Sequence, residues 1–231
     1  MKTKFYIVAT PIGNLEDISF RAVRVLGEVD LILCEDTRVT KKLLDKYEIK
    51  TPTLSYHQHS KISKMDKIFE MIEVGKNIAL VSDAGTPTIS DPGSFLVSQI
   101  RERFGKEIEI IVIPGASALV SALSVSGLIA DQFLFLGFLP HKKGRETLFK
   151  EMVETKRTVA FYESPHRIIK TLNSLKEHVG DRKIVIAREL TKIFEQIVSG
   201  TSEELIKYFE ENPDKIRGEF VVILEDIKNK M

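Results

Sequence analysis

The sequence is poor in cysteine and lacks any long apolar run. Cys34 is the single cysteine among 231 residues, so the chain can form no internal disulfide and no metal site with several cysteine ligands. No apolar run approaches the ~18 residues of a membrane-spanning helix, and the run at residues 5–9 is too short for the core of a signal peptide. These absences predict a cytoplasmic protein with no membrane segment.

Neither sign of charge dominates the sequence. Lys and Arg together number 34 and Asp and Glu together 33, which gives a formal net charge of +1. The protein as a whole is therefore not a polybasic nucleic-acid binder, and any RNA or DNA site must be a local patch. A length of 231 residues suits one large domain or two of about 100–150 residues.

Several common nucleotide-binding and catalytic motifs are also absent. No G-x-G-x-x-G follows the first predicted strand, which argues against a standard dinucleotide-binding fold, and the absence of G-x-x-x-x-G-K-[ST] excludes a P-loop. The nucleophile motif G-x-S-x-G and the zinc motif H-E-x-x-H are missing too.

The most informative segment is the loop at residues 81–93, V-S-D-A-G-T-P-T-I-S-D-P-G. It follows an apolar run that predicts a buried strand and precedes a predicted helix at residues 94–104. It is longer than the ~2–6 residues of an ordinary strand-to-helix connection. Open α/β folds bind ligands in such loops at the carboxyl ends of parallel strands, so we interpret it as a ligand loop, with an ordinary well-capped connection as the alternative.

The residue types in this loop support that interpretation. Gly85 allows the backbone to approach a ligand closely, and Pro87 stiffens the chain. Asp91 is the predicted N-cap of the following helix and Pro92 its predicted first residue. A second glycine-bearing turn at residues 114–117 follows another predicted strand, so the two turns can face one cleft.

The order of the predicted elements indicates an α/β protein with two domains. Strands and helices alternate in the first half, which predicts a parallel sheet, whereas strands adjacent in sequence in the second half predict a mixed sheet. We expect an N-terminal α/β domain at residues 1–115 and a C-terminal mixed α/β domain at residues 116–231. In detail, Phe20 and Val23, with Leu26 as a further candidate, are expected on the buried face of the first helix, and Thr37 is expected to cap the second.

The two loops, together with V-A-T-P-I-G-N-L, C-E-D-T-R, S-Y-H-Q-H and F-Y-E-S-P-H-R, resemble the tetrapyrrole methylase superfamily. Within it they are similar to the branch that methylates small-subunit ribosomal RNA. The resemblance extends from Phe5 to about Leu224. Members of that branch usually carry a further small helical domain at the C terminus, whereas this sequence ends at Met231, which leaves open how the chain grips RNA.

The resemblance implies a two-domain tetrapyrrole-methylase-like fold with its active site in the interdomain cleft, usually as a homodimer. It also implies S-adenosyl-L-methionine as the cofactor and 16S rRNA, 2′-O-methylated on a cytidine ribose in the small ribosomal subunit, as the substrate. Nine positions match cofactor contacts of the family, and Tyr162 is a neighbouring candidate. The nine are Pro11, Ala84, Gly85, Thr86, Ile89, Ser117, Ala118, Glu163 and Leu190.

The implied reaction is an in-line attack of a ribose hydroxyl on the methyl group of a sulfonium, which requires alignment and removal of one proton but no metal. Asp36 is the first candidate for the base, with a helix-leading carboxylate beside Arg38 as the alternative. Glu163 is the second, unless it only contacts the cofactor. His57 is a third.

RNA phosphates require cations, and the candidates lie in four segments. They are Arg38, His59, Lys142, Lys143, Arg145 and Arg167. For the lysines a solvated surface position is the alternative.

Two other functions remain open at this point. One is methylation of a tetrapyrrole or another small molecule, against which the basic residues at 140–145 argue weakly. The other is a nucleotide-binding module without catalysis, built on the same loops.

Overall fold

The computed structural model describes residues 2–56, 62–91 and 93–227. The chain divides into two compact units, residues 1–117 and residues 118–231, and each contains its own five-stranded sheet. One sheet is parallel and the other is mixed, so the predicted α/β class is confirmed. None of the described helices combines the length and apolar composition needed to cross a membrane.

The first unit alternates strands and helices along the chain. Its elements are β1 (Thr3–Val8), α1 (Phe20–Glu28), β2 (Leu31–Cys34), α2 (Thr37–Lys46), β3 (Thr53–Ser55), α3 (Ile62–Glu73), β4 (Ile78–Leu80), α4 (Ser94–Phe104) and β5 (Ile108–Ile113). The strands lie in the order β3-β2-β4-β1-β5, and all four pairings are parallel. The carboxyl ends of the strands therefore lie at one edge, and the loops that follow them start there.

Both faces of this sheet are covered, which explains the nearly continuous apolar runs of its strands. Successive residues point to opposite faces, so Leu33 packs in one apolar cluster with α3 and α4, while Ile32 and Cys34 pack in the other with α1. Cys34 is fully buried. These short strands are thus fixed by burial on two sides.

The predicted buried face of α1 is wrong for Phe20, whereas the burial of Leu26 is confirmed. Ala22, Val25 and Leu26 form the buried face, whereas Phe20 is 97% exposed. Ser19 caps the helix by accepting a hydrogen bond from the Ala22 N–H, which places Phe20 at the first helical position. The i, i+3, i+4 spacing from Ala22 then selects the face that meets the sheet.

The second unit has more strands adjacent in sequence. Its elements are α5 (Ala118–Val125), β6 (Phe133–Phe138), α6 (Arg145–Glu154), β7 (Thr158–Glu163), α7 (Ile168–Val179), β8 (Ile184–Arg188), β9 (Gln196–Gly200), α8 (Ser202–Glu211) and β10 (Phe220–Leu224). The strand order is β6-β7-β10-β8-β9, with β6 parallel to β7 and the other pairs antiparallel.

The core of the second unit lies between this sheet and α6, α7 and α8. Phe161, Ile186 and Val222 contribute to it from three adjacent strands, and Phe149 and Phe209 from the helices. Because the inward residues alternate with residues that face α5, the central strands are again buried on both sides. Glu163, the last residue of β7, is buried.

Candidate functional site

The loop after β4 is joined to the turn after β1 by paired backbone hydrogen bonds. Thr10 donates its N–H to the Gly85 carbonyl over 2.9 Å, and Gly85 donates its N–H to the Thr10 carbonyl over 3.0 Å. The buried Thr10 hydroxyl donates to the Ser82 carbonyl over 3.0 Å. The first turn of the ligand loop is therefore held in place by the strand beside it.

The turn after β5 joins the same assembly. Ala9 donates its N–H to the Ile113 carbonyl over 3.1 Å, and the Thr86 hydroxyl donates to the Ala116 carbonyl over 3.3 Å. Three loops at the carboxyl edge of the first sheet are thus bonded to one another. Within the first unit, this edge carries the predicted cofactor residues Pro11, Ala84, Gly85, Thr86, Ile89 and Ser117.

Gly85 and Gly115 are two positions where an added Cβ would contact a neighbouring loop. Gly85 has φ +81°, and a Cβ there would lie 3.4 Å from Ile12 Cγ2. A Cβ at Gly115 would lie 3.0 Å from the Cβ of Ala9. A side chain at Gly115 would therefore require its neighbour to shift, whereas at Gly85 the positive φ is the main obstacle to a side chain.

The ligand loop continues through three residues in the left-handed region. Thr88 has φ +75°, Ser90 +54° and Gly93 +130°. This conformation is uncommon for any non-glycine residue and is an outlier for a β-branched threonine. Strained residues of this kind persist where the surrounding structure holds them, and they cluster at ligand sites. Ile89, between the two strained residues, is half-exposed.

Asp91 does not cap α4, so that prediction is wrong. The N-cap of α4 is Gly93, which offers no side-chain hydrogen bond, because the left-handed turn places Asp91 outside the cap position. Pro92, the predicted first helical residue, lies outside the described residues.

Asp36 is the N-cap of α2, in place of Thr37. Its carboxylate accepts the Arg38 N–H over 2.8 Å and pairs with the Arg38 guanidinium at 2.6 Å. The side-chain hydrogen bond from Arg38 is the main cause that lowers the pKa of Asp36 to about 2. Asp83 supports this arrangement, because its carboxylate accepts the Asp36 N–H over 3.0 Å.

Glu163 is buried at the end of β7 and is fully hydrogen-bonded. One carboxylate oxygen accepts from the Ser164 N–H over 2.8 Å and from Arg167 Nε over 2.6 Å. The other accepts from the Thr171 hydroxyl over 2.6 Å, with Arg145 Nη1 at 4.0 Å. One carboxylate thereby ties the first turn of α7 to the strand.

Arg145 is not in an exposed basic loop, which corrects its expected placement. It is the first residue of α6 and only 7% exposed. Its guanidinium donates to the Thr171 hydroxyl over 2.8 Å and stacks over the Phe149 ring at 5.0 Å. Lys142 and Lys143, just before it, are exposed.

The remaining predicted site residues of the second unit lie at three places. The Tyr162 ring packs against Phe135 and Phe138, with centroid distances of 5.1 and 5.3 Å, and burial raises the pKa of its hydroxyl. Ala118 is the first residue of α5. Leu190 is buried in the turn after β8.

The remaining candidates are the residues predicted to contact RNA or to transfer a proton, and these roles stay predictions. Arg167 is half-buried against Glu163, and Arg38 is exposed apart from its pair with Asp36. His57 and His59 lie outside the described residues. In the described part of the chain, no group of three or more His, Cys, Asp and Glu side chains is arranged to hold a metal.

Sequence reasoning missed Asp91 as a titrating group. Its carboxyl is half-buried, and burial is the main cause that raises its pKa to about 7. The charge of Glu35 adds to the increase, as does that of Asp83, while a hydrogen bond from the Thr88 N–H opposes it. The signal in the sequence was weak. It consisted of an aspartate near the end of the ligand loop, together with acidic residues in C-E-D at 34–36 and S-D-A at 82–84.

A family model for tetrapyrrole (corrin/porphyrin) methylases matches residues 4–206. Ribosomal RNA small subunit methyltransferase I of Bacillus subtilis is 47% identical over 226 residues, which cover 97% of this chain and 76% of that protein. The protein of the same name from Thermotoga maritima is 47% identical over 221 residues, which cover 96% of this chain and 97% of that protein.

Solved structures similar to the chain share its fold at low sequence identity. A cobalt precorrin-4 methyltransferase of cobalamin biosynthesis superimposes with a TM-score of 0.71 at 17% identity, covering 96% of this chain and 94% of the other. A diphthine synthase gives 0.68 at 16% identity, covering 96% and 90%.

Proposed function

The chain belongs to the tetrapyrrole (corrin/porphyrin) methylase family, and from this premise we propose that it methylates a cytidine ribose 2′-oxygen of 16S rRNA, using S-adenosyl-L-methionine. The observation that carries the proposal is the 47% identity, over 97% of the chain, to a ribosomal RNA small subunit methyltransferase I. The solved structures of the same fold carry names that do not mention RNA, so fold similarity alone does not select this substrate.

The loops of the first unit fit a nucleoside-like donor. Nucleoside-like ligands use apolar walls and a few backbone hydrogen-bonding groups. Ala84 is exposed beside the buried Gly85, Thr86 is half-buried, and Ile89 offers an accessible apolar side chain. We assign the donor to these loops, with Pro11 and Ser117 beside them. For Ala118, Tyr162, Glu163 and Leu190 of the second unit, a contact with the donor stays a prediction that the family resemblance alone supports.

When bound, S-adenosyl-L-methionine supplies an electrophilic methyl group on a positively charged sulfur, so the leaving thioether is neutral and requires no acid. The chain's own residues align the ribose hydroxyl with that methyl and remove one proton. The bonded loops suit alignment because their main chain is fixed before any ligand arrives. His57 stays a candidate for proton transfer.

Contact with RNA is assigned to cations that the fold leaves accessible. Lys142 and Lys143 are exposed, and Arg38 is exposed on α2. Arg167 is half-buried, so it can reach a phosphate with only part of its guanidinium. His59 is the candidate from the segment after β3. Arg145 is best assigned to the interior, where Thr171 and Phe149 hold it.

Homodimerisation, a cytoplasmic location and action on the small ribosomal subunit belong to the same proposal. The resemblance to the family implies the dimer. The single cysteine of the sequence, which is buried, agrees with a reducing compartment. Sedimentation at several protein concentrations tests the dimer.

The proposal is tested by methyl transfer to small ribosomal subunits isolated from cells that lack the modification. Tritiated S-adenosyl-L-methionine should label 16S rRNA, and nuclease digestion should recover the label as 2′-O-methylcytidine. A tetrapyrrole macrocycle incubated in parallel should stay unlabelled. If the macrocycle is labelled instead of the RNA, the protein is a small-molecule methylase. Calorimetry with S-adenosyl-L-methionine tests donor binding directly, and a protein that does not bind the donor would be a non-catalytic module.

A further inference from the structure

Helix α2 carries exposed cations on the face opposite its buried residues. We call these cations the α2 row, which consists of Arg38, Lys41, Lys42 and Lys46. Three of them recur at intervals of four residues and therefore follow one another along one side of the helix, with Lys41 beside them. Because an α-helix rises 1.5 Å per residue, the row is ~12 Å long.

The α2 row is not neutralised by carboxylates, unlike cations of other helices. Within the described part of the chain its three lysines form no ion pair, although Asp45 lies one turn from Lys41 and Lys42. In α1, by contrast, Arg24 contacts Glu28 at 2.8 Å. The four cations and one carboxylate at residues 38–46 give this stretch a charge of +3, whereas the whole chain carries +1. Positive charge is therefore concentrated on α2.

The α2 row begins beside the ligand loop. At the start of α2 the Asp36 N–H donates to the carboxylate of Asp83, a residue of that loop, over 3.0 Å. Arg38 donates from Nε and Nη2 to the Asp36 carboxylate, so one edge of its guanidinium is held. In the part of the chain that the structure describes, Nη1 has no partner, and the side chain is 88% exposed. The guanidinium is thus fixed in orientation with one edge available to an anion.

The charge and placement of the α2 row point to a docking surface for the phosphates of the RNA strand that carries the target ribose. This inference rests on the proposed function and deepens it, because it states where the backbone of the substrate runs. A nucleic-acid strand presents charges of one sign at regular intervals, which suits cations repeated at each turn of a helix. A strand bound along the row would reach the ligand loop at Arg38.

The α2 row would position the substrate without selecting its sequence. Phosphate contacts fix the register and orientation of a nucleic acid, whereas contacts with the bases provide specificity. The row therefore contributes to affinity and to the placement of the ribose hydroxyl near the donor. It takes no part in the chemical step.

The salt dependence of binding tests the surface. We choose the triple variant Lys41→Gln, Lys42→Gln, Lys46→Gln, which keeps Arg38 because its loss would also release Asp36. Filter binding to small ribosomal subunits that lack the modification should show a Kd raised at least about tenfold at about 0.1 M salt. The slope of log Kd against log salt concentration should fall by about 2, since each phosphate contact on a single strand contributes ~0.7. Unchanged affinity and slope would overturn the inference.

Two further variants separate the α2 row from net charge. The matched control removes three exposed lysines on separate segments, in Lys67→Gln, Lys106→Gln, Lys150→Gln, and should keep Kd within about twofold of the wild type. Asp45→Asn removes the carboxylate beside the row and should tighten binding and steepen the slope. Equal losses in the two triple variants, or weaker binding in Asp45→Asn, would contradict a local surface on α2.

Methylation kinetics and protein-free RNA identify the partner. In the α2 triple variant, KM for the subunits should rise about tenfold or more, while kcat and the calorimetric Kd for S-adenosyl-L-methionine should stay within about twofold. Protein-free 16S rRNA should show the same loss of affinity. A loss confined to intact subunits would mean that the row contacts a ribosomal protein, and the RNA assignment would be wrong.

The failure of this inference can be distinguished from the failure of the proposed function. A triple variant that binds subunits like the wild type removes the α2 row as a docking surface and leaves methyl transfer by the wild type unaffected. If the wild type binds the subunits but transfers no methyl group, the proposed function is wrong, and the salt slopes still report on the row.

Discussion

Thr10 and Gly85 exchange two backbone hydrogen bonds, of 2.9 and 3.0 Å, between the turn after β1 and the loop after β4. Gly85 makes these two bonds with φ +81°, a conformation that glycine adopts without steric cost. The loop that we assign to the donor is therefore fixed through main-chain atoms, and its geometry depends on one glycine.

Gly85→Ala should destabilise the protein and weaken donor binding. The left-handed conformation costs an alanine about 1–2 kcal/mol, and the new Cβ would lie 3.4 Å from Ile12 Cγ2. Chemical denaturation gives the change in unfolding free energy, and calorimetry the change in Kd, which we expect to rise at least tenfold.

The matched control is Gly27→Ala, the same chemical change within α1. No atom lies within 4 Å of the added Cβ, and φ is not positive, so alanine should stabilise the protein by about 0.5–1 kcal/mol. If both substitutions were stabilising, the conformation assigned to Gly85 would be wrong.

Glu163→Gln should cause a large loss of stability. The substitution removes the buried negative charge that faces Arg167 and Arg145. Breaking one side of a buried ion pair typically destabilises a protein by about 3–5 kcal/mol, because the remaining charge is left without compensation. Equilibrium denaturation of the variant measures the loss.

Glu146→Gln provides the matched comparison on the surface. Glu146 contacts His178 at 3.1 Å, but its side chain is mostly exposed, so the same substitution should change the unfolding free energy by less than about 1 kcal/mol. Equal effects of the two substitutions would contradict the buried network at Glu163. In that case Glu163 would become available again as a base.

Arg38→Gln should raise the pKa of Asp36. The wild-type value of about 2 is caused mainly by the hydrogen bond from the Arg38 side chain, so its removal should bring the value toward the ordinary 3.8. Carboxyl ¹³C titration measures the change. Arg24→Gln, which disrupts a surface pair with Glu28, should leave Asp36 unaffected.

The same pair predicts how stability depends on pH. The folded-state pKa of Asp36 lies below its unfolded value, so its contribution to stability is present above pH 4 and is lost as the pH falls toward 2. Arg38→Gln should therefore lose less stability than the wild type across this window. An identical loss would show that the pair does not form in solution.

The strands could be predicted from sequence because their burial is encoded locally. The apolar run before the ligand loop and the run at β5 are each bounded by polar or glycine-bearing turns, and both became strands. The face of α1 could not be predicted with the same certainty, because Phe20 and Ala22 are both apolar and only the position of the cap at Ser19 decides which one points inward.

Polar networks were harder to predict than strands, since their members are distant in sequence. Arg145 belongs to a basic run in the sequence, yet its side chain lies in the interior, where it contacts Glu163 and Thr171. Asp36 and Asp91 are both loop aspartates, and only the three-dimensional neighbours separate them. Arg38 lowers the pKa of the first, whereas burial and Glu35 raise that of the second.

Gly218→Ala should disturb the turn that contains Leu190. Gly218 has φ +84°, and a Cβ there would overlap the side chain of Glu189, whose carboxylate holds Lys192 Nζ at 2.9 Å. The loss of stability should therefore exceed the about 1–2 kcal/mol of backbone strain alone. Gly144→Ala isolates that strain, because Gly144 has φ +85° and no atom lies within 4 Å of the added Cβ.

A double substitution tests whether Glu189 is the cause of the excess. In a Glu189→Ala background the overlap is gone, so Gly218→Ala should lose only what Gly144→Ala loses, and the coupling between positions 189 and 218 should appear as non-additivity. Additive effects would mean that the excess arises elsewhere.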